Sequence, residues 1–276
     1  MKNMAKIIAV AVIIIAAAGL FGYFHRLSKR SGNTILVSGN IETTKIRLSF
    51  QIPGKIITLL TDEGRFVKKG EVVAKLDTEE LTKIKEQAEF TLQEAQFNYE
   101  WVREDYNRAG NLFKSGAMTA QQRDAAKNKF DSSEAGLKIT RSVLEIANIR
   151  LSYADLISSV NGFVLVKSAE AGEVVQQGSP IFTVADLTDV WVTAYINETD
   201  LGKVKLGRQV DVKTDTYPDK VYEGRISFIS QEAEFTPKNI QTTEERVKLV
   251  YRIKIAVENP NFELKPGMPA DGYIKE

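Results

Sequence analysis

Residues 53–77 read PGKIITLLTDEGRFVKKGEVVAKLD, and residues 161–186 read NGFVLVKSAEAGEVVQQGSPIFTVAD. The two stretches share three glycines, and the members of every pair lie 108 residues apart: Gly54 and Gly162, Gly64 and Gly172, Gly70 and Gly178. The apolar positions repeat with the same period, since Val67 matches Val175 and Leu76 matches Val184. A single period that relates glycines and apolar positions indicates an internal structural repeat.

Each copy of the repeat predicts a small β unit. Short apolar runs such as KIITLL and FVLV are typical of strands, and Glu-Gly or Lys-Gly pairs separate them. We assign the six repeat glycines to turns, where the absence of Cβ removes a steric penalty. One copy holds three or four short strands, which is too small a core for independent stability. The two copies are therefore predicted to pack together.

The segment between the two copies is predicted to be helical. In residues 78–113 apolar or small residues recur at steps of three and four, with one 4-4 step: Leu81, Ile84, Ala88, Leu92, Ala95, Tyr99, Val102, Tyr106, Ala109 and Phe113. Residues 119–151 keep a strict 4-3 alternation: Ala126, Phe130, Ser133, Leu137, Thr140, Leu144, Ala147 and Leu151. Both series are typical of the seam of a coiled coil.

Capping signals bound the two predicted helices. Asp77 with Glu80, and Thr119 with Gln122, have the spacing of a capping box, and KSGAM at 114–118 supplies a turn. Two helices of about 35 residues joined by so short a turn run antiparallel, as a hairpin of about 50 Å. The rod carries no catalytic chemistry, and its form suits contact with a distant partner.

The N-terminus resembles an export signal. Lys2 and Lys6 precede eighteen uncharged residues, 7–24, whose helical length of about 27 Å approaches the hydrocarbon thickness of a bilayer. This length favours an uncleaved transmembrane anchor over a cleaved signal. The AAAG sequence at 16–19 keeps cleavage open, and a buried core helix is a further alternative.

Composition excludes several classes of site. The 276 residues have a formal net charge of only +1, so no global basic field attracts nucleic acid. The absence of cysteine excludes disulfides and thiolate sites, and the single histidine, His25, gives little material for acid/base or metal chemistry. We therefore expect no enzymatic activity, no cofactor and no metal.

Residues beyond Asp186 predict a β-barrel. Short alternating strands and turns run through DVWVTAYINETDLGKVKLGRQVDVKTDTYPDKVYEGRISFIS and continue to the C-terminus. Residues 34–50 predict a further strand that lies against one of the β domains. The acidic residues Glu232, Glu234, Glu244 and Glu245 are expected to be solvated loop charges, because no histidine or paired asparagine completes a metal site.

A split glycine repeat with a helical insertion resembles the lipoyl domain of HlyD-type periplasmic adaptors, which are also called membrane fusion proteins. AEFTPKNIQTTEERVKLVYRIKIAVEN is similar to the barrel of adaptors that work with ABC-type exporters, and LKPGMPADGYI resembles the closing strand of that barrel. In a carrier domain of this fold the modified lysine lies on the turn that the helices replace here. Lys68 and Lys69 lie on another turn, so a lipoyl or biotinyl carrier is a weaker alternative.

The resemblance also implies a site at the hairpin tip. Arg108, Leu112 and Thr119 fit the Arg-x3-Leu-x6-Ser pattern with which these adaptors contact TolC-type outer-membrane channels, with Thr in place of Ser. It implies that Arg108 hydrogen-bonds the channel opening, that Leu112 fills an apolar notch and that Thr119 adds a hydrogen bond. Alternatively, Arg108 is a solvated charge, Leu112 a seam residue and Thr119 only a helix cap.

The predicted fold is α+β and multidomain. Residues 1–30 form the membrane anchor and its flank, 31–77 the N-terminal strand and first lipoyl half, 78–152 the coiled-coil hairpin, 153–186 the second lipoyl half, and 187–276 the β-barrel. The resemblance implies an inner-membrane adaptor, lying mostly in the periplasm, that forms a ring, a hexamer by family analogy, and links an inner-membrane transporter to an outer-membrane channel. An ABC exporter is the favoured transporter partner, and a proton-driven pump is the alternative. A different function for the chain, as a coiled-coil protein that handles DNA, would leave the export signal and the repeat unexplained.

Overall fold

The computed structural model describes residues 34–235 and 249–275. The predicted membrane anchor lies outside these residues, as do Glu244 and Glu245. No helix in the described ranges is long and apolar enough to cross a bilayer. The chain divides into two compact units, one of residues 45–185 and the other of the described residues on either side of that range.

The β part of the unit 45–185 is built from both copies of the repeat. Its strands are β2 (Gly54–Leu59), β3 (Phe66–Val67), β4 (Val72–Leu76), β5 (Asp155–Ile157), β6 (Gly162–Lys167) and β7 (Val174–Val175). Two long strands, β1 (Ile35–Ser49) and β8 (Pro180–Asn197), contribute residues to both units. Strands β5, β4, β2 and β7 form one sheet in that order, while β3 pairs with β6 and β6 pairs with β8.

Backbone hydrogen bonds show the pseudo-two-fold relation of the two copies. The amide of Ile56 donates to the carbonyl of Glu173 at 2.8 Å, and 108 residues away the amide of Val164 donates to the carbonyl of Arg65 at 2.9 Å. Strand register agrees, because Gly54 pairs with Val175 and Val67 pairs with Gly162. Each copy thus supplies the partner strand that the other lacks.

The repeat also extends further back than residue 53. The amide of Gly70 donates to the carbonyl of Ser158 at 2.8 Å, and the amide of Gly178 donates to the carbonyl of Phe50 at 3.0 Å. Phe50 and Ser158 are themselves 108 residues apart, and both are buried.

One core joins the two copies. Its buried residues include Ile56, Val67, Val73, Val164, Ile181 and Phe182. Burial of each large aliphatic or aromatic side chain contributes about 1.5–3 kcal/mol, so neither copy would retain its core alone. The expectation that the two halves pack together is confirmed.

The repeat glycines divide into two structural classes. Four of them occupy turns with positive φ: Gly64, Gly70, Gly172 and Gly178. Gly54 and Gly162 do not lie in turns, contrary to the assignment from sequence, because each begins a strand. Gly162 is needed there for close packing, since a Cβ at this position would lie 2.4 Å from the carbonyl oxygen of Ala185, whereas a Cβ on Gly54 would meet only the side chain of Leu76, at 3.1 Å.

The inserted segment forms two antiparallel helices, α1 (Glu79–Lys114) and α2 (Ala120–Ser152). All predicted seam residues are buried or half-buried except Ile84, which is 38% exposed. Nearer the tip than the root, the Phe130 ring packs against Tyr99 and Tyr106, and its centroid lies 5.6 Å and 5.3 Å from theirs. The predicted coiled-coil seam is confirmed.

The helix starts differ from each other. Thr119 and Gln122 form the predicted capping box of α2. The predicted box of Asp77 with Glu80 is wrong, because Thr78 occupies the N-cap position of α1 and makes no side-chain cap bond. Asp77 instead accepts a hydrogen bond from the amide of Glu79 at 3.0 Å, one residue earlier than a capping box requires.

The second unit is a closed β-barrel. Its further strands are β9 (Gln209–Thr214), β10 (Tyr217–Phe235), β11 (Leu249–Glu258) and β12 (Pro269–Ile274), and a short helix, α3 (Glu198–Leu201), follows β8. The strand order is β1, β12, β9, β10, β11, β8, and pairing of β8 with β1 closes the barrel. The ring of strands encloses an aliphatic core that includes Ile226, Ile253 and Ile255. The predicted barrel is confirmed.

A polar cluster on the barrel predicts a pH response. The hydroxyl of Tyr222 donates to Glu263 at 2.9 Å, and Lys220 forms an ion pair with the same carboxylate at 2.6 Å. Burial, assisted by the bond to Glu263, raises the pKa of Tyr222 from 10.0 to about 12. Because the unfolded chain ionises first, this residue's contribution to stability is complete below pH 10 and is lost as the pH rises towards 12.

We therefore expect the free energy of unfolding to fall more steeply over that pH window in the native chain than in Tyr222→Phe. Denaturant unfolding of both chains at a series of alkaline pH values measures the difference. Parallel curves for the two chains would contradict the assignment.

Candidate partner-binding tip of the hairpin

The turn at the hairpin tip is closed by backbone hydrogen bonds. The amide of Gly116 donates to Phe113 at 3.1 Å and that of Ala117 to Leu112 at 2.9 Å, and Gly116 has φ of +77°. This pair of bonds around a left-handed glycine is the Schellman motif, which satisfies the last carbonyls of α1. The tip is therefore a defined backbone structure on which side chains can be presented.

Arg108 lies on the surface of α1, two turns before the tip. Its guanidinium contacts Asp105 at 3.2 Å and Glu104 at 3.8 Å, and its side chain is 59% exposed. Exposed pairs at this spacing contribute only a few tenths of a kcal/mol. The guanidinium can therefore exchange these partners for an acceptor on another protein at small cost.

Leu112 is not a seam residue. Ala109, which is buried, and Phe113, which is half-buried, fill the seam at this height, whereas Leu112 is 47% exposed. It lies one helical turn after Arg108, so the two side chains share a side of α1. An exposed leucine beside an exchangeable guanidinium suits recognition of a surface with an apolar notch and nearby acceptors.

The hydroxyl of Thr119 is engaged in the helix cap. It accepts from the amide of Gln122 at 3.3 Å and donates to the side-chain oxygen of Gln122 at 3.0 Å. A hydroxyl has one proton and two acceptor sites. While the cap is intact, Thr119 can offer a partner only its remaining acceptor site.

Thr119→Ala is expected to destabilise the hairpin by about 1 kcal/mol, because the first turn of α2 loses its side-chain acceptor. Thr119→Ser preserves the hydroxyl and should remain within a few tenths of a kcal/mol of the native chain. Urea unfolding, followed by the circular dichroism of the helices, compares the three chains. Equal stability of the alanine and serine variants would exclude a capping role.

A second arginine at the tip, Arg123, was not predicted from the sequence. The guanidinium of Arg123 lies 4.6 Å from the centre of the Phe113 ring and contacts Asp124 at 2.7 Å. It covers the end of the seam by a cation–π contact. The only sequence signal is its position, one turn after the N-cap of α2, and that position is common for surface arginines.

Other candidate residues identified in the sequence make hydrogen bonds or ion pairs within the β domains. The backbone amides of Lys68 and Lys69 donate to the side chains of Glu71 and Asn161, at 2.8 and 2.9 Å. Glu234 pairs with Arg252 at 3.1 Å. Across residues 34–235 and 249–275 no group of three or more histidine, cysteine or acidic side chains could hold a metal ion.

Two family models match the chain. Residues 45–186 match the CzcB-like barrel-sandwich hybrid domain, and residues 190–271 match the YknX-like beta-barrel domain. Together they include the repeat, the hairpin and most of the barrel.

Two curated membrane proteins are similar to nearly the whole chain. A UPF0194 membrane protein from Enterobacter sp. (strain 638) is 30% identical over 95% of both chains, and the UPF0194 membrane protein YbhG of Salmonella typhi is 29% identical over 95% of this chain and 94% of that one.

Solved structures share the fold. The membrane fusion protein Spr0693 from Streptococcus pneumoniae R6 superposes with a TM-score of 0.69 at 17% identity, over 88% of this chain and 99% of that one. A MacA-MexA chimera with the Pseudomonas aeruginosa MexA hairpin gives a TM-score of 0.60 at 27% identity, over 88% and 79%. With its split β domain, inserted hairpin and barrel, the chain belongs to the membrane fusion, or periplasmic adaptor, protein family.

Proposed function

We propose that this protein is the adaptor of a tripartite efflux or secretion system, linking an inner-membrane transporter to a TolC-type outer-membrane channel. The observation that carries the proposal is the exposed pair of Leu112 and Arg108 at the end of a hairpin about 50 Å long. The N-terminal segment would anchor the chain in the inner membrane, with the bulk of the protein in the periplasm. No step of this role requires catalysis or a cofactor.

Assembly is the proposed mechanism. Copies associate side by side into a ring, a hexamer by family resemblance, so that each ring presents several identical tips to the channel. A single contact made by one leucine, one guanidinium and one remaining acceptor site on Thr119 is weak. Tips that are held together bind with avidity that exceeds the affinity of one tip by orders of magnitude.

We assign the transporter to the ABC class, with a proton-driven pump as the alternative. The support is the barrel, whose sequence resembles that of adaptors of ABC-type exporters and whose residues 190–271 match the YknX-like model. Co-purification of the membrane-embedded chain, followed by identification of the transporter, separates the two classes. An ATP-binding partner supports the assignment, and a transporter without an ATP-binding domain overturns it.

Photo-crosslinking in cells tests the adaptor role. A photoreactive residue at position 112 is expected to capture a TolC-type channel, and Arg108→Asp in the same chain should abolish the capture. The matched control is a photoreactive residue at Gln93, which is also exposed but lies in the middle of α1. Capture at both positions, or at neither, would contradict a channel site at the tip.

A further inference from the structure

Both helices carry a second apolar stripe that faces away from the seam. On α1 it consists of Phe90, Phe97 and Trp101, and on α2 of Ile139, Val143, Ile146 and Ile149. Their exposed fractions range from 44% to 70%. We call these sets the α1 stripe and the α2 stripe. Neither contributes to the core of the hairpin.

The heptad pattern places the stripes on opposite lateral faces of the hairpin. Phe90 and Phe97 each lie two residues after a seam residue, Ala88 and Ala95, and therefore point directly away from α2. Ile149 likewise lies two residues after a seam residue, Ala147, and points away from α1. One hairpin thus has two different apolar faces, as a subunit with a neighbour on each side requires.

The charges beside the two stripes are complementary. Residues 86–104 of α1 hold five glutamates and one arginine, whereas residues 138–150 of α2 hold three basic residues and one glutamate. Within the part of the chain that the structure describes, Glu94, Glu100 and Arg141 form no ion pair. These charges are available to a partner that carries the opposite stripe.

The apolar area is large enough for an interface. Aromatic side chains bury about 150–250 Å² each, so the α1 stripe presents roughly 350 Å². The four aliphatic residues of the α2 stripe add roughly 250 Å² at half exposure. Since apolar atoms form a little over half of a typical interface, the whole contact would cover roughly 1,000 Å², the size at which specific association begins.

From these observations we infer that the α1 stripe of one copy packs against the α2 stripe of a second copy of this chain, in a staggered register. The inference rests on the proposed adaptor role and specifies the lateral contact of its ring. When the two helices run antiparallel the spacings match: Phe90 lies opposite Ile149, Phe97 opposite Val143, and Trp101 opposite Ile139. The same register brings Glu100 of one copy to Arg141 of the other.

This register differs from the one within the hairpin. Inside one copy, Phe130 packs between Tyr99 and Tyr106, which places position 97 at the height of about position 135. The intermolecular register is shifted by about eight residues, or about 12 Å. In a closed ring, equivalent atoms of all copies lie at the same height along the ring axis. A shift of about 12 Å between neighbouring hairpins that are each about 20 Å wide therefore requires every hairpin to tilt by roughly 30° from the ring axis.

Disulfide trapping of the full-length protein in its membrane tests the register, because the chain has no native cysteine. The double variant Phe97→Cys with Val143→Cys is expected to oxidise into a ladder of dimers, trimers and higher species. The matched control is Phe97→Cys with Ala135→Cys, two exposed positions that lie at the same height within one hairpin. This pair should give only traces of crosslinked dimers and higher species. Phe97→Cys alone should give no dimer.

Charge exchange provides a second measurement. In the background of Phe97→Cys with Val143→Cys, Glu100→Arg should weaken the ladder several-fold, and Arg141→Glu in the same chain should restore it. A ladder that is stronger for the equal-height pair, a dimer of Phe97→Cys alone, or no ladder from either pair would overturn the inference. Channel capture from position 112, measured in the same cells, tests the adaptor role independently of all these outcomes.

Discussion

Gly162→Ala is expected to destabilise the unit of residues 45–185 severely. The new Cβ would lie 2.4 Å from the oxygen and 2.7 Å from the carbon of the Ala185 carbonyl, both of them backbone atoms of the paired strand β8. Relief requires the two strands to separate where β6 begins and where Val164 and Val184 enter the core. We expect a loss of about 3–5 kcal/mol, a large part of the stability of an ordinary domain.

The pseudo-two-fold relation supplies a matched control. Gly54 is the equivalent residue in the first copy, but its added Cβ would meet the Cδ1 atom of Leu76 at 3.1 Å, and that side chain can move. Gly54→Ala should therefore cost about 1 kcal/mol. Denaturant unfolding is measured by the circular dichroism of the hairpin, which lies in the same unit. Similar losses in the two variants would show that the contact with Ala185 is not decisive.

Leu112→Asp is expected to abolish co-purification of the proposed TolC-type outer-membrane channel. The substitution places a charge in the proposed apolar notch, and removal of a central contact of this kind typically costs at least 2 kcal/mol per tip, or about 30-fold. Because avidity would multiply the loss over the several tips of the proposed ring, the combined reduction should exceed 100-fold.

Asn107→Asp is the control for this experiment. It adds the same charge at an exposed position of the same helix, five residues earlier, and should leave co-purification within about two-fold of the native chain. The helical circular dichroism of both variants should match the native signal, since neither residue is buried. Equal loss in the two variants would indicate a general electrostatic effect instead of a specific notch for Leu112.

Much of the fold could be predicted because its determinants repeat. The 108-residue period predicted two copies that pack together, and the steps of three and four predicted the seam, whereas the exchange of strands between the copies is seen only in the structure. Phe50 and Ser158 escaped detection because the repeated feature is a backbone carbonyl, for which a phenyl ring and a hydroxymethyl group are equally suitable. Gly54 and Gly162 were assigned to turns because a glycine at the start of a strand and a glycine needed for positive φ look the same in a sequence.

The candidate site was less predictable, for physical reasons. The seam pattern assigned Ala109 and Phe113 to the face towards α2 but left a seam position for Leu112 open as an alternative, and only the packing shows that Leu112 is exposed. The outer stripes were also overlooked. Single exposed apolar residues are common on protein surfaces, and the stripes gain meaning only when their heights on the two helices are known.

The way in which the hairpin joins the β domain allows the two helices to vary in length. The helices leave from β4 and β5, which are neighbours in one sheet, and Lys75 pairs with Asp155 at that point by strand register and by an ion pair of 3.3 Å. The packing of the sandwich core therefore depends on the positions at which the helical insertion begins and ends, and it does not depend on the length of the insertion. Seven residues added to each helix would preserve the seam and move the tip outward by about 10 Å. The reach of such a hairpin can therefore change without any change to the β domains.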